Sequence, residues 1–318
     1  MKRRKLASFG TITAVDTLTG EQTDVPPPNR GINLITITGS TGTIGSELVR
    51  LLSAAGVGTR AVHRNASKVR ALPHVTWAQA DLDDASQVAS ALTGTSGLFL
   101  LTDNQPDFGR IQIGVVRAAE RLGVEHIVKL SALGASDHSK SAIGREHWQV
   151  EQALLSTRLH WTILRPHAFM QNWLGDVAQS VRAEGLIYSP IGDGRVPFID
   201  TRDIAAVAAE VLLRPEAHVG KKYVLTGGAA VGFADLAGVV SEVTGRKITY
   251  RPISMEEARA RLVARGVAAA AIDAMLAIAA YQRDGGPTAA VSPSVERLLG
   301  RAPRTIRDFA RDYAASFR

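Results

Sequence analysis

The fold of this chain is constrained most by one glycine-spaced stretch, Thr38-Gly39-Ser40-Thr41-Gly42-Thr43-Ile44-Gly45. The β-branched run 35–38 indicates a buried strand, and Leu48, Leu51 and Leu52 then recur at helical spacing. Glycines between a strand and a helix leave the free N–H groups and the positive dipole end of that helix facing a phosphate. The stretch therefore predicts a strand, a tight turn and a helix that bind a nucleotide.

Each glycine of this turn has a separate predicted role. Gly39 allows the strand to end tightly, Gly42 allows the backbone to approach a pyrophosphate, and Gly45 allows the helix to pack on the strand. The residues between them are predicted to contact the same cofactor: Thr41, Thr43 and Ile44. The alternative is a glycine-rich surface turn without a ligand, which the strand before it and the helix after it disfavour.

The spacing is Gly-x-x-Gly-x-x-Gly rather than the Gly-x-Gly-x-x-Gly of the usual dinucleotide fingerprint. It resembles the atypical short-chain dehydrogenases/reductases, and the phrase from Trp148 through Asn172 narrows this resemblance to NmrA-like proteins. The resemblance covers about residues 33–318. It implies an α/β fold, with a doubly wound parallel Rossmann sheet that binds NAD(P) and a smaller, mostly helical C-terminal lobe that binds the substrate.

The predicted domain organisation has three parts. Residues 1–31 show no sustained periodicity and end close after three prolines, so we expect a flexible extension outside the fold. Residues 32–166 form the nucleotide-binding domain, to which the segment 196–226 returns in the family. Residues 167–195 and 227–318 form the substrate lobe.

Composition excludes several classes of protein. The chain has 318 residues, 45% of them hydrophobic, which is enough for a sizeable core. No apolar run reaches the roughly 18 residues of a membrane span, so no membrane partner is expected. Cysteine is absent, which excludes thiolate chemistry and favours a cytoplasmic protein. The net charge of +7 suits a phosphate-bearing cofactor, and the basic head at residues 2–5 is predicted to be a solvated tail rather than a nucleic-acid site.

The second strand, residues 58–64, predicts which pyridine nucleotide is preferred. NAD enzymes carry an acidic residue about 20 positions after the glycines, where it holds the ribose 2′-hydroxyl. This chain has Arg64 there, with Lys68 soon after, and such cations would bind a 2′-phosphate. We therefore expect NADPH to be preferred over NADH. The alternative is that Arg64 and Lys68 are ordinary surface cations.

Two further strand ends are predicted to line the cofactor cleft. The resemblance places Asp81 and Leu82, after the third strand, against the adenine, although Asp83 or Asp84 capping the next helix explains this acidic cluster nearly as well. The fourth strand, residues 97–102, ends where the crevice at the switch point of the sheet should open. Leu101 and Thr102 at that end are assigned to the cofactor site.

The sequence lacks the common motifs for proton transfer, metal catalysis and hydrolysis. Classical relatives use a Tyr-x-x-x-Lys pair, and none of the five tyrosines of this chain has a lysine four residues on. A catalytic metal is not expected, because there is no His-Glu-x-x-His and no histidine pair with carboxylates at ligand spacing. Ser-His-Asp hydrolysis lacks its Gly-x-Ser-x-Gly elbow.

Candidate catalytic residues come from the resemblance and from strand ends. His147 aligns with a lysine that contacts cofactor and substrate in several NmrA-like reductases, so it is predicted to donate a proton or to hold the nicotinamide ribose; an exposed histidine without a role is the alternative. Ser131 ends the fifth strand and is predicted to hydrogen-bond the nicotinamide end, or else to cap the strand. The family places further nicotinamide and substrate contacts after the sixth strand, at Pro166, His167 and Phe169.

These observations favour an NADPH-dependent oxidoreductase. Quinones, azo compounds, activated alkenes and imines form stabilised products after hydride addition, so a small-molecule acceptor of this kind would tolerate the missing Tyr-Lys pair. The alternative is a non-catalytic NAD(P)-sensing regulator that binds a protein partner, as NmrA does. A DNA-binding protein that uses its basic head is a third possibility. A homodimer is compatible with the sequence, which does not specify the oligomeric state.

Overall fold

A computed structural model describes residues 12–15, 22–25, 33–105 and 107–318, and for 12–15 and 22–25 only the backbone. Its strands are β1 Ile12–Val15, β2 Gln22–Val25, β3 Ile35–Ile37, β4 Thr59–His63, β5 Val75–Gln79, β6 Gly97–Leu100, β7 His126–Leu130, β8 His160–Pro166, β9 Leu186–Ser189, β10 Lys221–Leu225 and β11 Thr249–Pro252. Seven of them form one sheet in the order β10-β8-β7-β6-β3-β4-β5. Every neighbouring pair in that sheet is parallel.

Helices cover both faces of this sheet. The α-helices are α1 Thr43–Ala54, α2 Ala85–Leu92, α3 Phe108–Arg121, α4 Ala142–Leu155, α5 Asp176–Glu184, α6 Thr201–Leu213, α7 Phe233–Thr244, α8 Met255–Ala264, α9 Ala269–Arg283, α10 Ser294–Leu299, α11 Ile306–Asp312 and α12 Ala314–Phe317. Short 3₁₀ turns occur at Ala66–Lys68, Met170–Leu174, Pro215–Ala217 and Gly286–Ala289. Helices α1 and α6 pack together on one face, and α3 and α4 pack together on the other.

Buried apolar side chains hold these layers together. On the α1 and α6 face, Ile35 and Ile37 of β3 meet Leu48 of α1 and Val207 of α6, all fully buried. The opposite face has its own core, to which α3 contributes Val115 and other residues. Burial of both faces is typical of a parallel sheet. The predicted doubly wound α/β fold is confirmed.

The order of the sheet reverses between β3 and β6. The chain runs outward from β3 through β4 to β5, then returns to the other side of β3 at β6 and continues through β7 to β8. Diverging connections at such a switch point open a crevice at the carboxyl ends of the strands. The glycine turn, residues 38–45, lies at this point.

A smaller lobe is built after β8. Its core brings together four aromatic side chains, with Trp173 within 4.7–6.3 Å, ring centre to ring centre, of Phe198, Phe233 and Phe309. The lobe is mostly helical, but it also contains a two-stranded parallel sheet of β9 and β11 that the sequence did not predict. Between β9 and α6, Val196 and Ile199 make isolated bridges to Val231 and Phe169.

The predicted extension 1–31 falls mainly outside the described residues. Within it, β1 and β2 pair antiparallel, with Ile12 opposite Val25. The division into domains stays a prediction. Across the described residues, no helix is both long and apolar enough to cross a membrane.

Candidate active site

A cleft of ≈ 260 Å³ lies at the carboxyl ends of β3, β4, β5 and β6, at the switch point. It brings together most residues predicted for the adenosine side of the cofactor: Gly39, Thr41, Gly42, Arg64, Lys68, Asp81, Leu82, Leu101 and Thr102. It is also lined by residues that the sequence analysis did not assign: Val62, His63, Ala80, Asp103, Gln105, Phe108 and Ile111. The order of strand ends, rather than proximity in sequence, assembles this site.

Two of the three glycines are required by the backbone itself. Gly39 has a φ of +63°, in the region that favours glycine, and a Cβ there would lie 2.9 Å from the Leu101 carbonyl oxygen. A Cβ on Gly45 would lie 2.1 Å from the carbonyl oxygen of Gly39. The turn folds back onto the first helical residues so closely that neither position accommodates a side chain. The predicted roles of Gly39 and Gly45 therefore have a direct steric basis.

Gly42 and α1 provide the surface for a phosphate. Gly42 is exposed and is the N-cap of α1, where no side-chain cap among the described residues covers the first turn. The N–H groups of Thr43, Ile44 and Gly45 belong to that first turn, which has no intrahelical acceptors. The first turn also contains no acidic residue that would repel an anion. These features fit a dinucleotide pyrophosphate.

Two cations, Arg64 and Lys68, line the cleft beyond the end of β4. Arg64 follows β4 directly, and Lys68 ends the 3₁₀ turn that Asn65 caps by accepting the Ser67 N–H at 2.9 Å. Arg64 Nη2 donates to Asp103 Oδ2 at 2.7 Å. Asp103 follows β6 and lies across the cleft from Arg64. The Arg64 guanidinium therefore already holds an anion at this edge.

The third strand end is ordered by its own polar contacts. The Asp81 N–H donates to Gln87 Oε1 at 2.9 Å, and Asp81 Oδ1 accepts the Asp83 N–H at 3.0 Å. Asp84 is the N-cap of α2, as one of the two predicted alternatives. The pKa of its carboxyl is lowered to about 2 by hydrogen bonds from Ser86 and Gln87. Asp84 is therefore the residue that caps α2. The Asp81 side chain is exposed at the cleft.

Ser131 does not line this cleft but belongs to a buried polar cluster at the end of β7. Its hydroxyl donates to Glu151 Oε1 at 2.6 Å. Arg165 donates to both Glu151 oxygens, at 2.8 and 2.6 Å, and Lys222 donates at 3.2 Å. Burial opposes ionisation of Glu151, but the hydrogen bonds from Arg165 and Ser131, the Arg165 charge and the Lys222 hydrogen bond together lower its pKa. Ser131 is therefore fixed by a carboxylate.

His147 lies beneath the cleft rather than on its wall. Only 5% of it is exposed, and its ring packs at 4.8 Å, centre to centre and tilted by 58°, against Phe108, which does line the cleft. Its Nδ1 is 3.1 Å from Nζ of Lys129, a fully buried lysine of β7 whose Nζ also donates to the Leu130 carbonyl. Burial and then the Lys129 charge lower the pKa of His147 far below its ordinary value. The imidazole is therefore neutral and not exposed, and proton donation near neutral pH does not suit it.

The residues after β8 connect the sheet to the lobe. Pro166 and His167 are buried, and His167 Nε2 lies 3.0 Å from the carbonyl oxygen of Thr288 in a 3₁₀ turn of the lobe. Phe169 is partly buried and bridges to Ile199. None of these three residues lines the cleft described above. Their predicted contacts with the nicotinamide end stay predictions, as do those of Ser131 and His147.

A metal centre has no candidate ligands in this part of the structure. Among the described residues there is no group of three or more His, Cys, Asp or Glu side chains that could hold a metal ion. The donors at the cleft are instead backbone N–H groups and cations, which suit phosphates.

The switch-point cleft, the glycine turn at a helix N-terminus and the cations at the next strand end define a Rossmann-type protein. The chain matches the NmrA-like family over residues 32–310. It belongs to this family, as the resemblance in its sequence indicated.

Similar proteins include reductases of several acceptors. The chain is 36% identical over 286 residues to an NAD(P)H azoreductase of Xenophilus azovorans, covering 89% of this chain and 99% of that protein. It resembles the crystal structure of an NADPH-dependent quinone oxidoreductase from Escherichia coli complexed with NADPH, with a TM-score of 0.80 and 27% identity over 88% of this chain and 99% of that one. It also resembles a Citrobacter sp. triphenylmethane reductase complexed with NADP(H), with a TM-score of 0.78 and 25% identity over 87% and 99% of the two chains.

The buried Lys129 predicts an unusual dependence of stability on pH. Burial lowers its pKa from 10.5 to about 7, against the opposing effect of Glu151. Between those two values the unfolded chain holds one more proton than the folded chain, so the free energy of unfolding rises with pH, by about 1.4 kcal/mol per pH unit. We expect Lys129→Met to remove this rise and to stabilise the protein at neutral pH, as measured by urea unfolding at pH 7 and pH 9.

The matched control is Lys247→Met, which removes an exposed lysine and should retain the slope of the wild type. A Lys129→Met protein that is less stable than the wild type at pH 7, or that keeps the same slope, would contradict this interpretation of the buried amine.

Proposed function

We propose that the chain is an NADPH-dependent reductase that delivers hydride to an electrophilic conjugated or aromatic small molecule of the quinone, azo, activated-alkene or imine type. The observation that carries this proposal is the pairing of a phosphate-binding glycine turn with Arg64 and Lys68 at one cleft. The relatives support the acceptor class, because those named above act on azo compounds, quinones and triphenylmethane dyes.

The residues of this chain bind and orient rather than supply strong acid or base. The turn from Gly39 to Gly45 and the α1 N-terminus hold the pyrophosphate, and Arg64 with Lys68 holds the 2′-phosphate. NADPH, when bound, supplies a hydride to the acceptor. With a quinone, one NADPH and one proton yield a hydroquinone and NADP⁺, and the proton can come from solvent because the hydroquinone anion is a weak base. Quinone-type acceptors therefore suit a site that lacks the Tyr-Lys pair.

The test is steady-state oxidation of NADPH, followed at 340 nm, with a simple quinone, an azo dye and a saturated ketone as acceptors. We expect turnover with the quinone or the azo dye and none with the saturated ketone, whose alkoxide product needs an acid. Reduction of the ketone alone would contradict the proposed acceptor class. Tight binding of the dinucleotide with no turnover on any of these acceptors would favour the regulator that binds a protein partner.

His147 is proposed to support the nicotinamide end as a neutral, buried imidazole that packs beneath Phe108, a residue of the cleft wall. When Lys129 is protonated its ammonium can only donate, so His147 Nδ1 then accepts and the imidazole hydrogen is on Nε2. We expect His147→Ala to lower kcat by about tenfold or more while the Kd of NADPH changes by less than about threefold. Because His147 stays neutral, the wild type should show no change in kcat from an imidazole titration between pH 5 and pH 7.

His138→Ala is the matched control, since His138 lies in the loop before α4 and its side chain is 91% exposed. It should leave kcat and Kd unchanged. Full kcat in His147→Ala would remove this residue from the site, and an imidazole titration lost in that variant would restore it as a proton donor.

We also propose a cytoplasmic location, where a small-molecule reductase has access to NADPH. The homodimer stays a prediction for this chain, and light scattering on the purified protein measures it directly.

A further inference from the structure

We propose that Asp103 weakens the preference of this site for NADPH, by occupying on Arg64 the position that the 2′-phosphate of NADPH takes. The proposal rests on the NADPH site described above and adds a residue to it that opposes the preference. Asp103 lies just beyond the end of β6, opposite the β4 end that carries Arg64, so the two side chains face each other across the cleft.

The geometry is that of an anion already bound. Asp103 Oδ2 accepts from Arg64 Nη2 at 2.7 Å and from Gln105 Nε2 at 2.7 Å, and all three residues line the same cleft as Lys68. A phosphate that binds this guanidinium with its planar fork would need the Nη2 donor that Asp103 now occupies. The Arg64 guanidinium cannot donate the same N–H to both anions, so the Asp103 carboxylate competes with the 2′-phosphate.

The competition is weak enough to be overcome. The side chains of Arg64 and Asp103 are 62% and 51% exposed, and an exposed ion pair of this kind contributes little. A doubly charged phosphate therefore displaces the carboxylate, but the affinity for NADPH is reduced by the cost of that exchange and by repulsion from the released carboxylate. NADH has only a hydroxyl at this position and does not displace the pair.

The test is Asp103→Asn, with dissociation constants measured from the fluorescence of bound NADPH and NADH at one fixed ionic strength. We expect the Kd of NADPH to fall by about 3- to 10-fold and the Kd of NADH to change by less than about twofold. The same contrast should appear between adenosine 2′,5′-bisphosphate and AMP, titrated calorimetrically, which restricts the effect to the 2′-phosphate.

Two further variants make the test specific. In an Arg64→Met background, adding Asp103→Asn should no longer tighten NADPH by more than about twofold, because no guanidinium is left to compete for. Asp107→Asn removes a carboxylate from the same segment outside the cleft, at a residue with a φ of 64° that Asn also tolerates, and should change neither Kd.

An unchanged Kd of NADPH in Asp103→Asn would overturn the proposal by showing no competition. A raised Kd would also overturn it, because it would mean that Asp103 orients Arg64 for the phosphate. A gain of equal size in the Arg64→Met background would also overturn it. Any of these results, with NADPH still bound by the wild type, leaves the proposed function intact; a wild type that binds neither dinucleotide would instead refute that function.

Discussion

Gly45→Ala is expected to abolish cofactor binding and to destabilise the fold. The new Cβ would lie 2.1 Å from the Gly39 carbonyl oxygen and 2.7 Å from its carbon, and both are backbone atoms that cannot move aside. The turn must open, at a cost of about 3 kcal/mol or more in the free energy of unfolding. NADPH affinity should fall by at least about 100-fold, equivalent to the loss of two charge-assisted hydrogen bonds from the turn.

Two glycine controls separate folding from binding. Gly114→Ala, at an open position in α3 with nothing within 4 Å of the new Cβ, should stabilise the protein by about 0.5 kcal/mol and leave NADPH binding unchanged. Gly42→Ala, whose Cβ would lie 3.3 Å from the Gly39 carbonyl oxygen, should fold but bind NADPH poorly, since it obstructs the phosphate surface. Wild-type affinity in both Gly42→Ala and Gly45→Ala would contradict the assignment of this turn to the pyrophosphate.

Arg64→Asp is expected to reverse the cofactor preference. The change replaces the guanidinium at the end of β4 with a second carboxylate facing Asp103, so a 2′-phosphate would meet two like charges. The Kd of NADPH should rise by at least about 30-fold, because a hydrogen bond to a charged group contributes roughly 1.5–3 kcal/mol and repulsion adds to its loss. The Kd of NADH should change by only a few-fold.

The control for Arg64→Asp is Arg70→Asp, which makes the same charge change on the same segment at an exposed residue outside the cleft. It should lower the affinity for both dinucleotides slightly and to the same extent, through long-range electrostatic repulsion that salt screens. An NADPH-to-NADH preference that is the same in Arg64→Asp and in the wild type would show that Lys68 or another group holds the 2′-phosphate.

The sequence predicts which residues meet at this cleft because the cleft is lined by strand ends. The predicted strands 35–38, 58–64 and 97–102 end within two residues of β3, β4 and β6, and in a parallel sheet those ends meet at one edge. Arg64, Asp81 and Thr102 could therefore be placed together without any contact being known. Asp103 and Gln105 could have been added by the same reasoning, since they are polar residues directly after a predicted strand.

The buried layer beneath the cleft could not be predicted in this way. Phe108 and His147 lie 39 positions apart and meet only because α3 packs on α4. Lys129 lies inside β7 between apolar residues. Nothing in that sequence pattern indicates that its amine is buried against His147. For this reason the ordinary imidazole pKa assumed from sequence does not hold once the packing is known.

The ion cluster around Glu151 also could not be predicted from the sequence. Its partners come from β7, β8 and β10, and only the strand order β10-β8-β7 places Ser131, Arg165 and Lys222 around one carboxylate. From sequence, Glu151 is simply a polar residue of a helix. The resemblance to the NmrA-like family located this region but did not reveal the ion cluster, because that depends on long-range pairing.

The central claim is that the glycine turn and Arg64 bind the pyrophosphate and the 2′-phosphate of one dinucleotide. Isothermal titration of the purified protein with NADPH and with NADH tests it most directly. We expect NADPH to bind at one site per chain, and NADH to bind at least about tenfold more weakly for want of the phosphate held by Arg64. No heat of binding with either nucleotide, or a tighter Kd for NADH than for NADPH, would contradict it.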